Sequence, residues 1–321
     1  MLNVFGDLTA STHKPFRSLS STSSTPRPTG VRFQLLSDLH LEQPSASFPS
    51  GPSTSYTTFS SSIPHTAPYL ILAGDIGKLA DYSAYLGFLA SLVPHYERIF
   101  LVPGNHEYYG VSIEDGLEAM WRLEREEMLR GRVSVLSRGR VDLDWDGEDG
   151  NEGGSNGERG GVTVLGCTLW SHIPEDARKR VGNGINDFNM IEDWSIDAHN
   201  GAHAADVFWL KSQLAEIAAE NRVIGNETKQ RRVLIVTHHV PTSSWMARSP
   251  ELKSSALKTA FQTNVFGDGE MDFEGAGVRA WACGHTHWSF EIEARGVLVV
   301  SNQKSYEGQK AGFDPRKVIE V

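Results

Sequence analysis

The stretch VRAWACGHTH, residues 278–287, joins an apolar run to a glycine and two histidines. The apolar run predicts a buried strand that ends at the glycine. Alternate side chains of an extended chain point the same way, so His285 and His287 are expected to face one side together. Two neutral imidazoles that converge on one point form half of a metal site. Taken alone, the pair is more typical of two histidines that face solvent at a strand end.

Four other apolar runs end in a similar way, and each predicts a buried strand followed by side chains that can bind a metal. These are Asp38 and His40 after VRFQLL (31–36), Asp75 after YLILA (69–73), Asn105 and His106 after RIFLVP (98–103), and His238 and His239 after RVLIV (232–236). A glycine precedes the ligand in three of the five turns, where it permits a close backbone approach. Because ligands of α/β folds bind beyond strand ends, the turns together indicate one site.

The order of the elements indicates an α/β protein. Strands alternate with helices at first and later follow one another, which predicts a mixed sheet or two packed sheets flanked by helices. The apolar periodicity predicts helices near 79–93, 113–129 and 203–220, with further strands at 133–136, 162–170, 290–294 and 297–301.

The domain organisation follows from composition. Residues 1–29 are rich in Ser, Thr and Pro and predict a disordered tail. Residues 30–321 predict one catalytic domain with loop insertions at 43–67 and 142–161. The second insertion is acidic and Gly-rich, but it lacks the periodic spacing of a calcium-binding loop, so a solvated loop is expected.

The charge and cysteine content exclude several classes of protein. The formal net charge is −10 over 321 residues, so the chain lacks the basic footprint of a general nucleic-acid binder and should be repelled by anionic membranes. Cys167 and Cys283 adjoin apolar runs and are expected to be buried free thiols, which fits a reducing compartment. No apolar run has the length of a membrane span, and the N-terminus lacks the apolar core of a signal peptide. A cytoplasmic location is predicted, and the Ser/Thr-rich N-terminus leaves organelle targeting as an alternative.

The motifs D-x-H, G-D, G-N-H-E, a strand-end histidine and G-H-T-H, in this order, closely resemble those of the calcineurin-like metallophosphoesterase superfamily. The resemblance covers most of residues 31–305. It implies two packed mixed sheets flanked by helices, and an enzyme that hydrolyses phosphoric esters with two metal ions. It also implies seven metal ligands, namely Asp38, His40, Asp75, Asn105, His238, His285 and His287. Of these, Asp75 would bridge the two ions.

The chemistry of this set is consistent with the resemblance. Imidazoles, carboxylates and one amide oxygen suit Mn²⁺, Fe or Zn²⁺ better than Ca²⁺. Two such ions can share a carboxylate and a hydroxide that attacks phosphorus in line. The resemblance assigns His106 to the leaving group as the general acid, although a histidine that only holds Asn105 in place is an alternative. Asp81 is a candidate for orienting His106.

The sequence differs from the phosphoprotein phosphatases, one branch of this superfamily, in two of the motifs. GDIGKLA (74–80) and PGNHE (103–107) lack the two arginines with which that branch grips phosphate, so a small non-phosphoprotein-phosphatase branch is indicated. The segments GINDFNMI (184–191) and SNQKSY (301–306) resemble parts of small, mostly uncharacterised members. These two segments add four candidates for the substrate pocket, namely Asn186, Asp187, Asn302 and Tyr306. His239, the residue after His238, is a fifth candidate. A capped loop and a strand end are equally typical of these segments.

The predicted function is hydrolysis of a small phosphomonoester or phosphodiester by a hydroxide that bridges two metals. Alternatives are a nucleotide or cyclic-nucleotide phosphodiesterase and, less favoured because the chain is acidic, a nuclease. A non-catalytic scaffold with the same fold is the alternative from another class, although a scaffold has no need of a complete ligand set. The sequence leaves the oligomeric state open.

Overall fold

The computed structural model describes residues 30–43, 52–143, 160–250, 256–267, 269, 271–309 and 311–321. The predicted tail, residues 1–29, lies outside these residues, as do 44–51 and 144–159 of the two predicted insertions. Among the described residues, no helix combines the length and hydropathy that a bilayer crossing requires.

The described strands form two mixed sheets. The first contains, in spatial order, β11 (Val318–Glu320), β1 (Arg32–Leu36), β2 (Tyr69–Ala73), β3 (Arg98–Val102) and β4 (Val133–Val135). The second contains β5 (Gly139–Leu143), β6 (Val162–Cys167), β7 (Arg232–Thr237), β8 (Val278–Cys283), β10 (Val297–Ser301) and β9 (Phe290–Ala294). Pairing is parallel in the interior of both sheets, and β11, β5 and β9 pair antiparallel at the edges.

The two sheets pack face to face, and strand alternation explains how. Along β3, Phe100 and Val102 point into a core shared with Val164 and Val236 of the second sheet. The intervening residues of β3 point outward into a second core beneath the helices. Buried apolar side chains on both faces account for the continuous apolar runs seen in the sequence.

Helices cover the outer faces of both sheets. The helices are α1 (Pro52–Ser60), α2 (Tyr82–Leu92), α3 (Ile113–Arg125), α4 (Arg178–Gly184), α5 (Asp187–Met190) and α6 (Ile196–Ile224). The first three pack on the first sheet, and α6 packs on the second through Leu210, Leu214 and Ile217. This arrangement confirms the predicted class of two mixed sheets flanked by helices.

Several elements differ from the prediction. α6 begins at Ile196 because Ser195 caps it, accepting a hydrogen bond from the main-chain N–H of Ala198. It ends at Ile224, and Gly225, whose φ is 66°, caps its C-terminus. The predicted strand 162–170 ends at Cys167. The predicted insertion 43–67 contains α1, which Ser and Thr disfavour, and the buried ring of Tyr56 packs it against Tyr85.

Candidate metal centre

The loops after the strands hold many of the predicted ligands in a rare backbone conformation. A positive φ is found at five of the seven, namely Asp38 (51°), His40 (48°), Asp75 (54°), His285 (72°) and His287 (52°). Residues other than glycine seldom adopt this left-handed backbone conformation, and those that do are concentrated at functional sites. The fold therefore imposes this geometry on the site.

Two glycines let the loops approach one another. A Cβ atom on Gly74, whose φ is 84°, would lie 2.3 Å from Nδ1 of His238. A Cβ atom on Gly104 would lie 2.2 Å from Oδ1 of Asp75. Both distances are far below van der Waals contact, so glycine is required where the strand ends converge.

The metal-capable side chains of the described residues form three clusters, of which two share the carboxylate of Asp75 and a third consists of His40, Glu42 and His106. The first contains Asp38, His40, Asp75 and His287, and the second contains Asp75, His238 and His285. Within each cluster, one ligand atom per residue lies within 4.8 Å of all the others. Asn105 adjoins the second cluster, with its Oδ1 atom 3.1 Å from Nε2 of His238. The structure thus brings all seven predicted ligands together, with Asp75 in the middle.

The second cluster has the donor chemistry that a cation requires. His238 donates its Nδ1–H to the carbonyl of Ala73 (3.0 Å), so the neutral ring presents a lone pair at Nε2. That lone pair faces Oδ1 of Asp75 at 3.3 Å and Oδ1 of Asn105. Electron-rich atoms this close to one another need a positive charge between them. Burial lowers the pKa of His238, yet the carboxylates of Asp75 and Asp38 raise it to about 10, so the cluster retains a proton when no metal is bound.

The first cluster repeats this arrangement. Nε2 of His40 and Nε2 of His287 lie 3.0 Å apart, and Nε2 of His287 lies 3.6 Å from Oδ1 of Asp38. Asp38 also accepts the main-chain N–H of His285 at 2.9 Å, which joins the loops after β1 and β8. The buried imidazole of His40 and the half-buried imidazole of His287, both facing carboxylates, form a second position suited to a divalent ion.

Asp187 orients the amide of Asn105. Nδ2 of Asn105 donates to Oδ1 of Asp187 at 2.8 Å, and the hydroxyl of Tyr109 donates to the same oxygen at 2.6 Å. Because the amide nitrogen faces Asp187, the amide oxygen faces His238. The structure therefore places Asp187, predicted as a pocket residue, behind a predicted ligand.

The carboxylate that contacts His106 is that of Glu42, which is not among the predicted site residues. Oε1 of Glu42 accepts Nδ1–H of His106 at 2.8 Å and lies 3.3 Å from Nδ1 of His40. No contact between Asp81 and His106 is found in the described part of the chain. Burial lowers the pKa of His106, but Asp75 and Glu42 raise it to about 9. A usable signal was present, since Glu42 continues the alternate spacing of Asp38 and His40.

Glu107 ties two ligand loops together. Its buried carboxylate accepts the main-chain N–H groups of Asp75 (2.9 Å), Ile76 (2.8 Å) and Gly104 (2.7 Å). The hydroxyl of Tyr85 also donates to it at 3.1 Å. This last residue of the GNHE motif therefore fixes the bridging carboxylate to the loop that carries Asn105.

Glu107→Gln is expected to lower the free energy of unfolding by about 2–4 kcal/mol. The new amide group retains one acceptor oxygen but directs two N–H groups at main-chain donors. Urea unfolding monitored by circular dichroism measures the change. Glu118→Gln, at an exposed position of α3, is the matched control and should unfold as the wild type does. Equal stability of the two variants would contradict the role given to Glu107.

The remaining pocket candidates occupy different environments. Asn186 is exposed, whereas the buried amide of Asn302 bonds to the carbonyls of Leu35 and Asp314 and supports the strand end. His239 is buried behind the centre, with its ring 4.0 Å from that of His285, and neither of its ring nitrogens has a partner among the described residues. Tyr306 lies at the centre, with its ring 4.5 Å from that of His40.

The fold and the site together define the class of protein as a metal-dependent phosphoesterase. The chain belongs to the calcineurin-like phosphoesterase family, whose model matches residues 31–289. It is 25% identical over 271 residues to uncharacterized protein L509 of Acanthamoeba polyphaga mimivirus. The match covers 80% of this chain and 85% of that protein.

One solved structure of low sequence identity shares the fold, and a second resembles it more weakly. The phosphopantetheinyl hydrolase PptH from Mycobacterium tuberculosis has a TM-score of 0.59 and 14% identity, and the match covers 91% of this chain and 96% of that one. A putative 5'-nucleotidase from Staphylococcus aureus has a TM-score of 0.46 and 14% identity, and the match covers 85% of this chain and 48% of that one.

Proposed function

We propose that this protein hydrolyses a small phosphomonoester or phosphodiester with two divalent ions, Mn²⁺, Fe or Zn²⁺, held by the seven ligands named above. The single observation that carries the proposal is the position of Asp75 between two clusters of electron-rich atoms. A carboxylate shared in this way is the arrangement that binuclear hydrolases need. The bound ions would supply a hydroxide nucleophile and neutralise charge on the phosphoryl oxygens.

The predicted ligands would leave a metal-loaded site with a net positive charge. Asp38 and Asp75 contribute two negative charges, which do not balance two divalent cations. The excess positive charge attracts a phosphate group although the whole chain is acidic. The buried position of both carboxylates strengthens this attraction, because water screens it poorly there.

His106 is positioned to protonate the leaving group. Glu42 accepts its Nδ1–H, so Nε2 faces the centre, 4.0 Å from Oδ2 of Asp75. The hydroxyl of Tyr306 lies 3.4 Å from the same nitrogen. A protonated Nε2 can therefore donate to the departing oxygen while Glu42 stabilises the ring in one orientation.

A nucleotide or cyclic-nucleotide phosphodiesterase is a more specific version of the same proposal. A non-catalytic scaffold is the alternative from another class. The seven predicted ligands, the His106–Glu42 contact and the strained loop conformations all favour hydrolysis, because a scaffold gains nothing from a strained, acceptor-rich cluster.

Purified protein stripped of metal is expected to hydrolyse p-nitrophenyl phosphate or bis-p-nitrophenyl phosphate when Mn²⁺ is added, and to lose activity with EDTA. Release of p-nitrophenolate measures both rates, and their ratio separates a monoesterase from a diesterase. Activity that is insensitive to EDTA, or no turnover with Mn²⁺, Fe²⁺ or Zn²⁺, would contradict the proposal.

A further inference from the structure

A cavity of about 560 Å³ opens beside the predicted metal ligand His40. Three parts of the chain line it: the loop after β1, the end of α1 with the turn that follows, and the segment after β10. The volume lies within the range of small-molecule sites. Because α1 belongs to the predicted insertion 43–67, one wall of the cavity comes from outside the strands that carry the ligands.

Tyr306 connects this cavity to the metal centre. Its ring lines the cavity and lies 4.5 Å from the ring of His40 and 4.7 Å from that of His287. Its hydroxyl faces His106, the proposed acid. A phosphoryl group at the centre would therefore have one of its ester arms beside Tyr306, at the entrance to the cavity.

The walls of the cavity combine apolar surface with one cation. Leu39, Leu41 and Phe59 supply the apolar part. Nζ of Lys304, which is half-buried, lies 5.5 Å from the centre of the Phe59 ring and donates to the carbonyl of Leu39 at 3.2 Å. An ammonium group has three donors, so this bond fixes the group and leaves donors for a ligand.

Lys304 is the one cationic side chain among the described residues that line the cavity. The carboxylate of Glu307 lies at the rim, where exposure to water weakens its attraction for the ammonium. The half-buried ammonium is instead placed to pair with an anionic group that enters along the apolar wall.

We propose that this cavity binds the second ester arm of a phosphodiester, an arm with an apolar body and an anionic tip that pairs with Lys304. The inference rests on the proposed function, since it assumes that the phosphorus lies at the metal centre. The apolar body contacts Phe59 and the two leucines, and the tip, a carboxylate or a phosphate, accepts hydrogen bonds from Lys304.

Two synthetic substrates of equal arm length test this assignment in the Mn²⁺-loaded enzyme. These are butyl p-nitrophenyl phosphate and 3-carboxypropyl p-nitrophenyl phosphate, which release the same leaving group and differ in the tip. The wild type is expected to favour the carboxylate ester about tenfold in kcat/KM, the effect of one charge-assisted hydrogen bond. A third ester with a 3-phosphonopropyl arm shows which anion Lys304 prefers.

Lys304→Met removes the charge, keeps a side chain of similar shape, and is expected to reduce the preference to about one. Lys179→Met, at an exposed position of α4 that does not line the cavity, is the matched control and should keep the tenfold preference. Phe59→Ala should lower kcat/KM for both esters by a similar factor, because both arms contact the ring.

The outcomes distinguish this inference from the function on which it rests. If Mn²⁺-dependent turnover of any nitrophenyl ester occurs without a preference for the anionic tip, or with a preference that Lys304→Met leaves intact, the cavity assignment is overturned and the phosphoesterase function stands. If p-nitrophenyl phosphate is hydrolysed but neither diester is, the cavity does not receive an ester arm. If no ester is hydrolysed with any of the three metals, both proposals fail.

Discussion

Asp75→Asn is expected to lower kcat by about 10³-fold or more, and to reduce the metal that copurifies with or reloads into the protein. The Oδ1 atom of Asp75 lies 3.3 Å from Nε2 of His238, and its Oδ2 atom lies 3.9 Å from Nε2 of His40. Asparagine keeps the shape of the side chain and one acceptor oxygen, but it removes the charge that serves both clusters. Metal analysis by mass spectrometry and the rate of p-nitrophenolate release measure the two effects.

The control for Asp75→Asn is Asp176→Asn, an exposed aspartate remote in sequence from the ligand loops, which should retain metal and rate. Circular dichroism checks that both variants fold. Wild-type turnover in folded Asp75→Asn would show that the bridging assignment is wrong. If Asp75→Asn lost activity but retained two metal ions, Asp75 would not be needed to bind the ions and would act in another way.

His106→Ala is expected to slow alkyl phosphate esters by about 10²- to 10⁴-fold while leaving metal content unchanged. The p-nitrophenyl esters should slow far less, because p-nitrophenolate departs without a proton. The physical basis is the position of Nε2, which faces the centre because Glu42 holds Nδ1 at 2.8 Å. The measurement uses a series of esters whose leaving groups have increasing pKa. A plot of log kcat against that pKa should be steeper for His106→Ala than for the wild type.

Glu42→Gln provides a graded comparison for His106→Ala. The amide can still accept the Nδ1–H of His106, but it lacks the charge that stabilises a protonated ring. Its leaving-group dependence should therefore lie between those of the wild type and His106→Ala. Equal slowing of alkyl and nitrophenyl esters by His106→Ala would argue against a general acid and favour a histidine that only supports Asn105.

Local sequence predicted the strands and the convergence of the predicted ligands, for a physical reason. Strands buried on both faces must be apolar along their whole length, so the polar residues that follow them mark the strand ends. In parallel sheets those ends share one edge, and the chemistry of the side chains then indicates the site. The shared position of Asp75 follows from this geometry, as it follows from the family motif.

What could not be predicted depends on contacts between distant parts of the chain. Glu42 contacts His106 across 64 positions, and Asp187 contacts Asn105 across 82. The alternate spacing with Asp38 and His40 indicates that Glu42 belongs to the site, but neither that spacing nor the neighbours of Asp187 identify the partner of either carboxylate. α1 was missed for a related reason, since Ser and Thr give it low helix propensity and the packing of Tyr56 on Tyr85 and Phe88 of α2 stabilises it.

The left-handed conformations at five of the predicted ligands bear on how the protein would discriminate among ions. Each costs on the order of 1 kcal/mol or more, and the surrounding fold supplies that energy before any ion arrives. A cage assembled in advance loses little entropy on loading, but it cannot expand for a larger ion such as Ca²⁺ without disturbing five loops at once. Rigidity would then make selectivity among metals a matter of size as much as of ligand type.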